Sequence, residues 1–416
     1  MAAAVDIDAI RGRFPALGEP DAPIFLENAG GAQVPDSVIE AMALYLRSRY
    51  VQLGAGYPRS EQAAALVEAA HRWMETFVGG SGHGSAILGP SSTQLLHMLA
   101  GCWGRRLGEG DEIVVAESNH EANVGCWLRL IERGVRVRWW RVGGDPAGAA
   151  LEGLDAVLGE RTRLVCFPHV SNLLGGVIDV PEVARRARAF GARTVVDGVA
   201  FAPHRLIDVA ALGCDWYVLS TYKVFGPHMA LLFGTGEAIA ELEGPNHFFI
   251  PRDRVPYVFE LGGACHEGCA GLLGLAEHLR FLAGEAPRGC FEPALRATVR
   301  AAMDRVEALE RPLQERLIER LGSVPGLRIL GPMTAGPERV PTVSVVHDSV
   351  PSARLAAAAH AEGIGIRHGH MYSLRLCEAL GIPATDAVCR ISAVHYNTVD
   401  EIDRACAAIE RAVRRG

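Results

Sequence analysis

Polar and ionisable side chains follow four of the strands that the sequence predicts. They are Glu117, Asn119 and His120 after the first strand; His169, Ser171 and Asn172 after the third; Asp197 after the fourth; and Ser220, Tyr222 and Lys223 after the fifth. Ligands of open α/β sheets bind at the carboxyl ends of the strands, so we expect these groups on one rim. An amine, a carboxylate and an imidazole on one rim suit nucleophilic and acid–base chemistry.

Lys223, in the stretch STYKVFGPH, is the only lysine among 416 residues, whereas arginine occurs forty times. The lysine has two interpretations: a positive charge for a phosphate, or an amine that forms an imine with an aldehyde such as that of pyridoxal phosphate. Arginine serves as a charge but its guanidinium stays protonated and forms no imine. A lysine retained by chance could stand at any position of the chain, so the location of Lys223 on the rim favours the imine interpretation.

Asp197 acquires a role if the aldehyde is pyridoxal phosphate. A buried carboxylate beside the ring nitrogen keeps that nitrogen protonated, which the cofactor needs to accept electrons. The alternative is a turn-capping aspartate before Gly198, which is a common arrangement. Its strand lies between the lysine strand and the Asn172 strand, and this position favours the cofactor role.

The stretch GPSSTQ (89–94) precedes the apolar helical run LLHMLAGCW. Hydroxyl groups and free backbone N–H groups at a helix start bind anions, and phosphate is the usual occupant. Taken alone, Ser92 and Thr93 would more often be a plain helix cap. There is no GxGxxG after a strand and no Walker A motif, which disfavours a nicotinamide cofactor or a nucleoside triphosphate.

The pattern between residues 85 and 235 alternates short apolar strands with amphipathic helices. The predicted strands are 112–118, 135–142, 162–170, 193–199, 214–221 and 229–234, and the predicted helices are 121–134, 151–160 and 181–191. This alternation predicts an α/β fold with a mostly parallel sheet covered by helices on both faces. Long helices (297–321 and 398–415) and a strand (339–348) then predict a smaller α+β domain. We divide the chain into an N-terminal arm (1–20), a large domain (21–285) and a small C-terminal domain (286–416).

Composition excludes several classes of protein. The net charge of −7 and the lack of a basic run argue against a nucleic-acid partner. No apolar run is long enough to cross a membrane, and the acidic start MAAAVDIDAIRGRFPAL does not suit a signal peptide, so we expect a cytoplasmic protein. The ten cysteines include no CxxC pair, and neither CHEGC (265–269) nor HGH (368–370) has a second ligand pair, so we expect no metal site.

Together these motifs resemble the class V aminotransferase group of fold-type I pyridoxal phosphate enzymes, and within it the cysteine desulfurase and selenocysteine lyase branch. The likeness extends from FLENAGGAQVP (25–35) to CRISAVHYNTVDEID (389–403). Its most specific parts are FPHVSNLLG (167–175), VVDGVAFAPH (195–204) and STYKVFGPH (220–228).

The resemblance implies a role for each matched position. Lys223 would form the internal aldimine, His120 would stack on the cofactor ring and help move protons, and Asp197 would pair with the pyridine nitrogen. Asn172 would lie near the phenolic oxygen or the substrate, and Ser92, Thr93, Ser220 and Tyr222 would hold the phosphate. Arg390 would bind the α-carboxylate of an amino acid, a task for which a planar bidentate donor is suited; Asn28 and Tyr372 are the other expected substrate contacts. The resemblance also implies a homodimer whose sites receive the stretch ELGGACHEG (260–268) from the partner.

The departures from the family pattern concern the reaction. Desulfurases carry a nucleophilic cysteine in a loop of the type RxGHHC, and here the stretch is RHGHMY, with Tyr372 at the place of the cysteine. A phenol cannot carry a persulfide. Cys377 reads as part of an apolar helix face and Cys265 is a weak substitute. Ala200 and Gly263 replace a glutamine and a threonine that contact the cofactor in the family.

We therefore expect an enzyme that acts on an α-amino acid, as a desulfurase-like lyase without an enzyme-bound persulfide. An aminotransferase, an epimerase or a carbon–carbon bond-forming enzyme would use every one of these motifs and stays an alternative. The alternative from another class is a non-catalytic protein that binds the cofactor or another ligand.

Overall fold

The computed structural model describes residues 6–143 and 151–415; residues 1–5 of the expected arm lie outside this part. The strands are β1 (Ile24–Phe25), β2 (Gly84–Gly89), β3 (Glu112–Ala116), β4 (Arg136–Trp140), β5 (Thr162–Pro168), β6 (Arg193–Asp197), β7 (Trp216–Ser220), β8 (Ala230–Thr235), β9 (Leu327–Leu330), β10 (Thr342–His347), β11 (Ile364–Gly365), β12 (Arg367–Gly369) and β13 (Val388–Ser392).

The α-helices lie between and around these strands. They are α1 (Ile7–Arg11), α2 (Asp36–Ser48), α3 (Pro58–Val78), α4 (Ser92–Trp103), α5 (Gly125–Leu128), α6 (Leu151–Asp155), α7 (Val180–Ala189), α8 (Val209–Leu212), α9 (Gly236–Ala240), α10 (His266–Leu282), α11 (Arg296–Gly322), α12 (Ser352–His360), α13 (Leu374–Ala379) and α14 (Val399–Arg414). The described part of the chain contains no helix that is long and apolar enough to cross a membrane.

The large sheet has seven strands in the order β2-β8-β7-β6-β5-β3-β4. Only β8 runs against its neighbours, and all other pairs are parallel. Successive residues of one strand enter different apolar clusters: Tyr217 and Leu219 of β7 join one cluster, and Trp216 and Val218 join the other. Apolar packing on both faces is what a parallel sheet requires. The expected α/β fold with a mostly parallel sheet is confirmed.

The segment after β3 differs from the expected single helix over 121–134. It consists of a 3-10 turn (Glu121–Asn123), the short helix α5 and a second 3-10 turn (Arg129–Arg133). Val124 interrupts the helix with φ −126° and ψ −64°. Asn123 explains the interruption, since its side chain donates to Asn119 Oδ1 (3.1 Å) and accepts from Trp127 Nε1 (2.9 Å). Such local side-chain bonds compete with a regular helix.

The C-terminal part forms a second sheet of four antiparallel strands in the order β12-β13-β10-β9. The helices α11, α12 and α14 cover this sheet around a separate apolar cluster. β1, although it lies near the start of the chain, pairs in parallel with β11 and so joins this part. The boundaries 21–285 and 286–416 stay a prediction of the sequence, and the β1 pairing shows that the chain crosses between the two parts more than once.

Arg339 connects the two parts from a fully buried position. Its guanidinium donates to the backbone oxygens of Thr342 (2.8 Å), Leu174 (3.5 Å) and Pro332. Burial lowers the pKa of Arg339 to about 10. A charged group in this position is stabilised only by such hydrogen bonds, so Arg339 fixes the loop after β5 against the small domain.

Candidate active site

A cavity opens at the carboxyl ends of β5, β6 and β7. Its lining residues are Ser91, Ser92, Thr93, His120, Ala122, Pro168, Val170, Asn172, Asp197, Val199, Ala200, Ser220, Tyr222 and Lys223. All eight residues expected to hold a cofactor are among them. The structure therefore brings together side chains from four separate segments that the sequence placed on one rim.

Lys223 ends a 3-10 turn (Thr221–Lys223) that directly follows β7. Thr221 fixes this turn, because its backbone N–H donates to Met229 O (2.9 Å) and its hydroxyl donates to Pro227 O (2.6 Å). Phe225 then adopts a left-handed φ of 67° and buries its ring among aromatic side chains. These contacts hold the lysine on the cavity floor.

Opposing effects set the charge of Lys223. Burial and the nearby Arg390 guanidinium lower its pKa to about 8, whereas the Asp197 carboxylate acts in the opposite direction. A lysine amine with this pKa is neutral in about a tenth of the molecules at pH 7, far more than a lysine with the ordinary pKa. A neutral amine is the nucleophilic form, so the cavity prepares Lys223 for attack on a carbonyl group.

Asp197 lies at the end of β6 and is buried. Burial raises its pKa, while a hydrogen bond from the Val199 N–H (3.0 Å) and the Lys223 charge oppose this effect. The next residue must be glycine, because a Cβ at Gly198 would meet the Tyr217 ring at 2.1 Å. A carboxylate in this setting pairs readily with a protonated nitrogen, since burial favours a nearby positive charge.

His169 supports the backbone beneath Asp197. The His169 N–H donates to Asp197 O (2.8 Å), and its ring stacks on Phe201 at 3.6 Å and bonds to the Tyr217 hydroxyl (2.9 Å). Burial lowers the pKa of His169 to about 3, so the ring is neutral. His169 therefore positions the carboxylate of the site without lining the cavity.

Hydroxyl groups and a helix start form the anion-binding end of the cavity. Ser91 caps the twelve-residue helix α4, where its hydroxyl accepts from Gln94 N (3.2 Å). The Ser92 and Ser220 hydroxyls bond to each other at 2.8 Å. Thr93 lines the same end, and the free N–H groups of the first helical turn add positive potential. This group of donors suits a phosphate.

Tyr222 lines the cavity beside Lys223 and stacks on His228 with the ring centroids 4.2 Å apart. The stack fixes the plane of the Tyr222 ring. The same residue also lines a second, more open cavity that Gly31, Ile39 and Met42 border. Tyr222 thus forms the partition between the site and a neighbouring surface.

His120 follows β3 and faces the cavity as a neutral imidazole. Burial, Lys223 and Arg390 lower its pKa to about 3. Its Nδ1 accepts from Ala122 N (3.1 Å), so the ring proton is on Nε2. A flat neutral ring with one donor can stack on a planar ligand and exchange a proton at Nε2.

Arg390 of β13 approaches the site from the small domain and is 3% exposed. Its Nη1 donates to Asn172 O (3.0 Å), and its Nε has no hydrogen-bond partner. Burial lowers its pKa to about 10, so the group still carries its charge. A buried guanidinium with an unused donor is suited to a carboxylate ligand.

The segment that contains Tyr372 closes one side of the site. Asn172 Nδ2 donates to Met371 O (3.0 Å), and Asn172 Oδ1 accepts from the Ser373 hydroxyl (2.8 Å). The centroid of the Tyr372 ring lies 5.3 Å from that of the His120 ring, and the Tyr372 side chain is exposed to solvent. The side chain of Asn172, expected near a ligand, is thus committed to this segment.

Asn28 lies elsewhere, in a junction between the N-terminal segment and the small domain. Its amide donates to Ser392 O (2.8 Å) and Asn397 Oδ1 (3.1 Å), and its oxygen accepts from the Tyr396 hydroxyl. Asn28 is buried and is not among the residues that line the cavity. Its expected contact with a substrate stays a prediction.

The cysteines considered as nucleophiles occupy different environments. Cys377 is fully buried in an apolar cluster, as expected, and burial raises its pKa to about 11. Cys265 is exposed at the start of α10, and partial burial raises the pKa of its thiol. Neither residue lines the cavity.

Three residues that shape the site were not singled out from the sequence: Ser91, which lies within the stretch GPSSTQ, and Ser373 and Glu121. Ser91 carried a signal, because serine before an apolar helical run is a typical cap. Ser373 and Glu121 carried none, since their partners Asn172 and Tyr372 are distant in the sequence: Ser373 bonds to Asn172, and the Glu121 N–H donates to Tyr372 O (2.8 Å).

These groups fit pyridoxal phosphate. Lys223 offers the amine for its aldehyde, Asp197 the carboxylate for its ring nitrogen, His120 a ring for stacking, and the α4 start with Ser92 and Ser220 the donors for its phosphate. The unpartnered Nε of Arg390 is a further buried donor at this site.

Comparison with known proteins also indicates a pyridoxal phosphate enzyme. The profile of the aminotransferase class-V family matches residues 24–245 and 289–405. The "Aminotransferase-like protein FGM3" of Gibberella zeae is 35% identical over 97% of this chain and 98% of its own length. A "Probable cysteine desulfurase" of Xylella fastidiosa is 30% identical over 97% of this chain and 95% of its own. The structural alignment with the solved cysteine desulfurase of Thermococcus onnurineus covers 100% of both chains, with a TM-score of 0.86 and 24% sequence identity.

The family match covers most of the chain and includes the segments that supply Lys223, Asp197 and Arg390. The fold, the cavity and the relatives agree on the same group of enzymes. This chain belongs to the aminotransferase class-V family of pyridoxal phosphate-dependent enzymes.

Proposed function

We propose that this enzyme acts on an α-amino acid as a desulfurase-like lyase that does not pass sulfur through a cysteine of its own. The observation that carries the proposal is that Lys223 and Asp197 line one cavity, with the Arg390 charge close enough to act on Lys223 and the Tyr372 ring beside the lining residue His120. The amine, the buried carboxylate and the buried guanidinium supply a cofactor attachment, a partner for the ring nitrogen and a carboxylate receptor.

Each residue has a defined task in this proposal. Bound pyridoxal phosphate supplies the electron sink that stabilises negative charge at the substrate Cα. Arg390 binds the α-carboxylate through its free Nε and a remaining Nη, which fixes the Cα near Lys223. Lys223, as a neutral amine beside the bound Cα, would take up the Cα proton and return it later.

Within the described part of the chain, no cysteine is among the residues that line the cavity, and this supports the second half of the proposal. Tyr372 stands where the related desulfurases carry the nucleophilic cysteine, and a phenol forms no persulfide. Cys377 is buried among apolar residues, and its raised pKa keeps the thiol protonated. With alanine as the product, the leaving group therefore departs as sulfite from cysteine sulfinate, or it is transferred from cysteine to an external thiol, which takes up the sulfur as a persulfide.

An aminotransferase is the second candidate, and one observation favours it. The relative from Gibberella zeae, which is named as aminotransferase-like, is more similar than the desulfurase of Xylella fastidiosa. An epimerase or a carbon–carbon bond-forming enzyme would need the same residues. The products separate these reactions, because only a lyase releases alanine from cysteine, cysteine sulfinate or selenocysteine.

The first experiment identifies the attachment site and the reaction together. Borohydride reduction of the enzyme should fix the cofactor on the peptide that contains Lys223, and an adduct on another peptide would refute the assignment. The enzyme is then incubated with a panel of amino acids while its visible absorption is followed and its products are analysed. Alanine without a keto acid supports the lyase, whereas transfer that depends on a keto acid supports the aminotransferase.

We also propose a cytoplasmic homodimer with shared active sites. Large apolar side chains are exposed on and after α2, among them Ile39, Leu44, Leu46 and Tyr50. Ile39 borders the open cavity on the far side of Tyr222, so this face adjoins the active site. Analytical ultracentrifugation tests the dimer, and a monomer with full activity would contradict it.

A further inference from the structure

The segment His370–Ser373 is held in an unusual backbone conformation at the edge of the site. Met371 has φ 41° and Tyr372 has φ 60°, both in the left-handed region that residues other than glycine rarely adopt. Two consecutive residues in this region persist only if their surroundings hold them there. The cause of this conformation must therefore lie in the contacts of the segment.

Three hydrogen bonds fix the segment from two sides, and a fourth joins two of its own residues. Asn172 binds Met371 O and the Ser373 hydroxyl at 3.0 and 2.8 Å, as described above. The Glu121 N–H donates to Tyr372 O at 2.8 Å, and the Ser373 N–H donates to His370 O at 2.7 Å. Ser373 is 1% exposed and Asn172 is 7% exposed, so water competes little for these bonds.

Side-chain contacts on both flanks add to this attachment. Met371 packs against the apolar cluster that contains Leu173, Leu174 and Cys377. Arg375 lies 3.6 Å from the Glu121 carboxylate and places its guanidinium 5.0 Å from the centre of the Trp139 ring. The segment is thus joined to the loops after β3 and β5, which also supply His120 and Asn172 to the cavity.

The result is a fixed position for one exposed side chain. Tyr372 is 64% exposed, and its ring makes a 44° angle with the His120 ring at 5.3 Å. His120 lines the cavity, so the phenol ring forms the next part of its wall toward solvent. His120 is close enough to Lys223 and Arg390 for both charges to act on its imidazole, so an amino acid held by these two residues would lie beside the rings of His120 and Tyr372.

We propose that Asn172 and Ser373 are positioning residues that clamp the segment His370–Ser373, and that the clamped Tyr372 ring is a specificity-determining wall for the substrate side chain. The inference rests on the proposed action on an α-amino acid. The segment is a fixed part of the site. The face of the Tyr372 ring, more than the Tyr372 hydroxyl, contacts the substrate side chain.

The clamp is tested in the cofactor-free protein by hydrogen exchange with mass spectrometry. Ser373→Ala removes the bond to Asn172, and we expect the Glu121 amide and the peptide 370–377 to exchange about tenfold faster than in the wild type. Ser349→Ala, at an exposed serine of the same domain, is the matched control and should leave this exchange unchanged. Equal exchange in Ser373→Ala and the wild type would overturn the clamp, whatever the enzyme's substrate is.

The wall is tested in the holoenzyme by spectral titration with the best amino acid of the panel. Tyr372→Ala should raise the half-saturating concentration about tenfold with an unchanged cofactor content, whereas Tyr372→Phe should stay within about twofold of the wild type. An unchanged titration of Tyr372→Ala, or an equal loss in Tyr372→Phe, would overturn the wall. If no amino acid alters the wild-type spectrum, the proposed function fails, and the exchange experiment still decides on the clamp.

Discussion

Lys223 combines two requirements that oppose each other in water: it must be near a carboxylate that will pair with the cofactor, and it must lose its own proton. The cavity meets both by burial and by placing the Arg390 charge nearby, which together outweigh Asp197 and lower the pKa of Lys223 to about 8. In the proposed function Arg390 also binds the substrate carboxylate, which would couple substrate binding and amine activation through the same guanidinium.

This coupling predicts a pH dependence for cofactor attachment. The neutral amine is the reactive form, so the rate at which the cofactor-free protein takes up pyridoxal phosphate should rise with pH and level off above about 8. Arg390→Gln removes a nearby positive charge, which raises the lysine pKa and moves the midpoint to higher pH. Stopped-flow absorbance between pH 6 and 10 measures this midpoint.

Arg328→Gln, at an exposed arginine of β9, is the control and should keep the wild-type midpoint. A midpoint for Arg390→Gln that equals the wild-type value would show that the Arg390 charge does not act on Lys223.

At this scale the sequence predicted most of the residues that line the cavity, because their chemistry is specific. A single lysine, an aspartate at a strand end and hydroxyls before a helix each imply a task, and the structure places all of them in one cavity. Ser373 was not predictable, since its partner Asn172 is 201 residues away. Asn172 was named for contact with a ligand, and its commitment to the segment His370–Ser373 depends on how two domains meet.

The secondary-structure elements likewise include some that the sequence predicted and others that it did not. The strands β3 and β5–β8 were predictable because each is a short apolar run between polar turns, and the sheet needs exactly such runs when both its faces are covered. The segment 121–133 was not, because its apolar spacing suits a helix and the bonds of Asn123 that interrupt it are visible only in the structure. The pairing of β1 with β11 likewise has no local signal.

Arg339 gives a prediction at the scale of elements. It connects the loop after β5 to the small domain through three backbone oxygens, so Arg339→Met would leave buried acceptors without partners. We expect the free energy of unfolding to fall by about 3 kcal/mol, with the cofactor still bound in the folded protein. Urea unfolding followed by tryptophan fluorescence measures the change.

Arg328→Met is the control for this substitution, because Arg328 is exposed on the adjacent small sheet. If Arg339→Met and Arg328→Met unfold at the same urea concentration, Arg339 does not connect the two parts in the way described.

Segments from distant parts of the chain pack together in a cluster of aromatic and histidine side chains next to the lysine loop. Phe14 of the N-terminal arm, Phe225 of the lysine loop, His278 of α10, and His395 and Tyr396 of the small domain pack against one another. His278 and His395 are fully buried with their Nε2 atoms 3.3 Å apart. The lysine loop therefore rests on the point where the arm and both domains meet.

The cluster predicts that acid destabilises the protein. Burial and the Arg13 charge lower the pKa of His278 to about 3, whereas in the unfolded chain it is about 6.5. Between these values the unfolded chain binds a proton that the folded protein does not, so the stability is complete above pH 6.5 and falls as the pH falls. For one such histidine the loss at pH 5 is about 2 kcal/mol.

His278→Gln should therefore reduce the difference in unfolding free energy between pH 7 and pH 5 by about 2 kcal/mol. His228→Gln, at an exposed histidine, should leave that difference unchanged. Urea unfolding at the two pH values measures both variants, and an equal pH dependence of His278→Gln and the wild type would contradict the assignment.

The single lysine also makes this enzyme unusually simple to observe. Growth on lysine labelled with ¹⁵N at the side chain would give one ε-nitrogen signal for the entire chain, and that nitrogen is the one on the cavity floor. Its chemical shift would report protonation, cofactor attachment and substrate exchange directly, without assignment of any other resonance. A chain with several lysines would give several such signals, and each would have to be assigned before it could be interpreted.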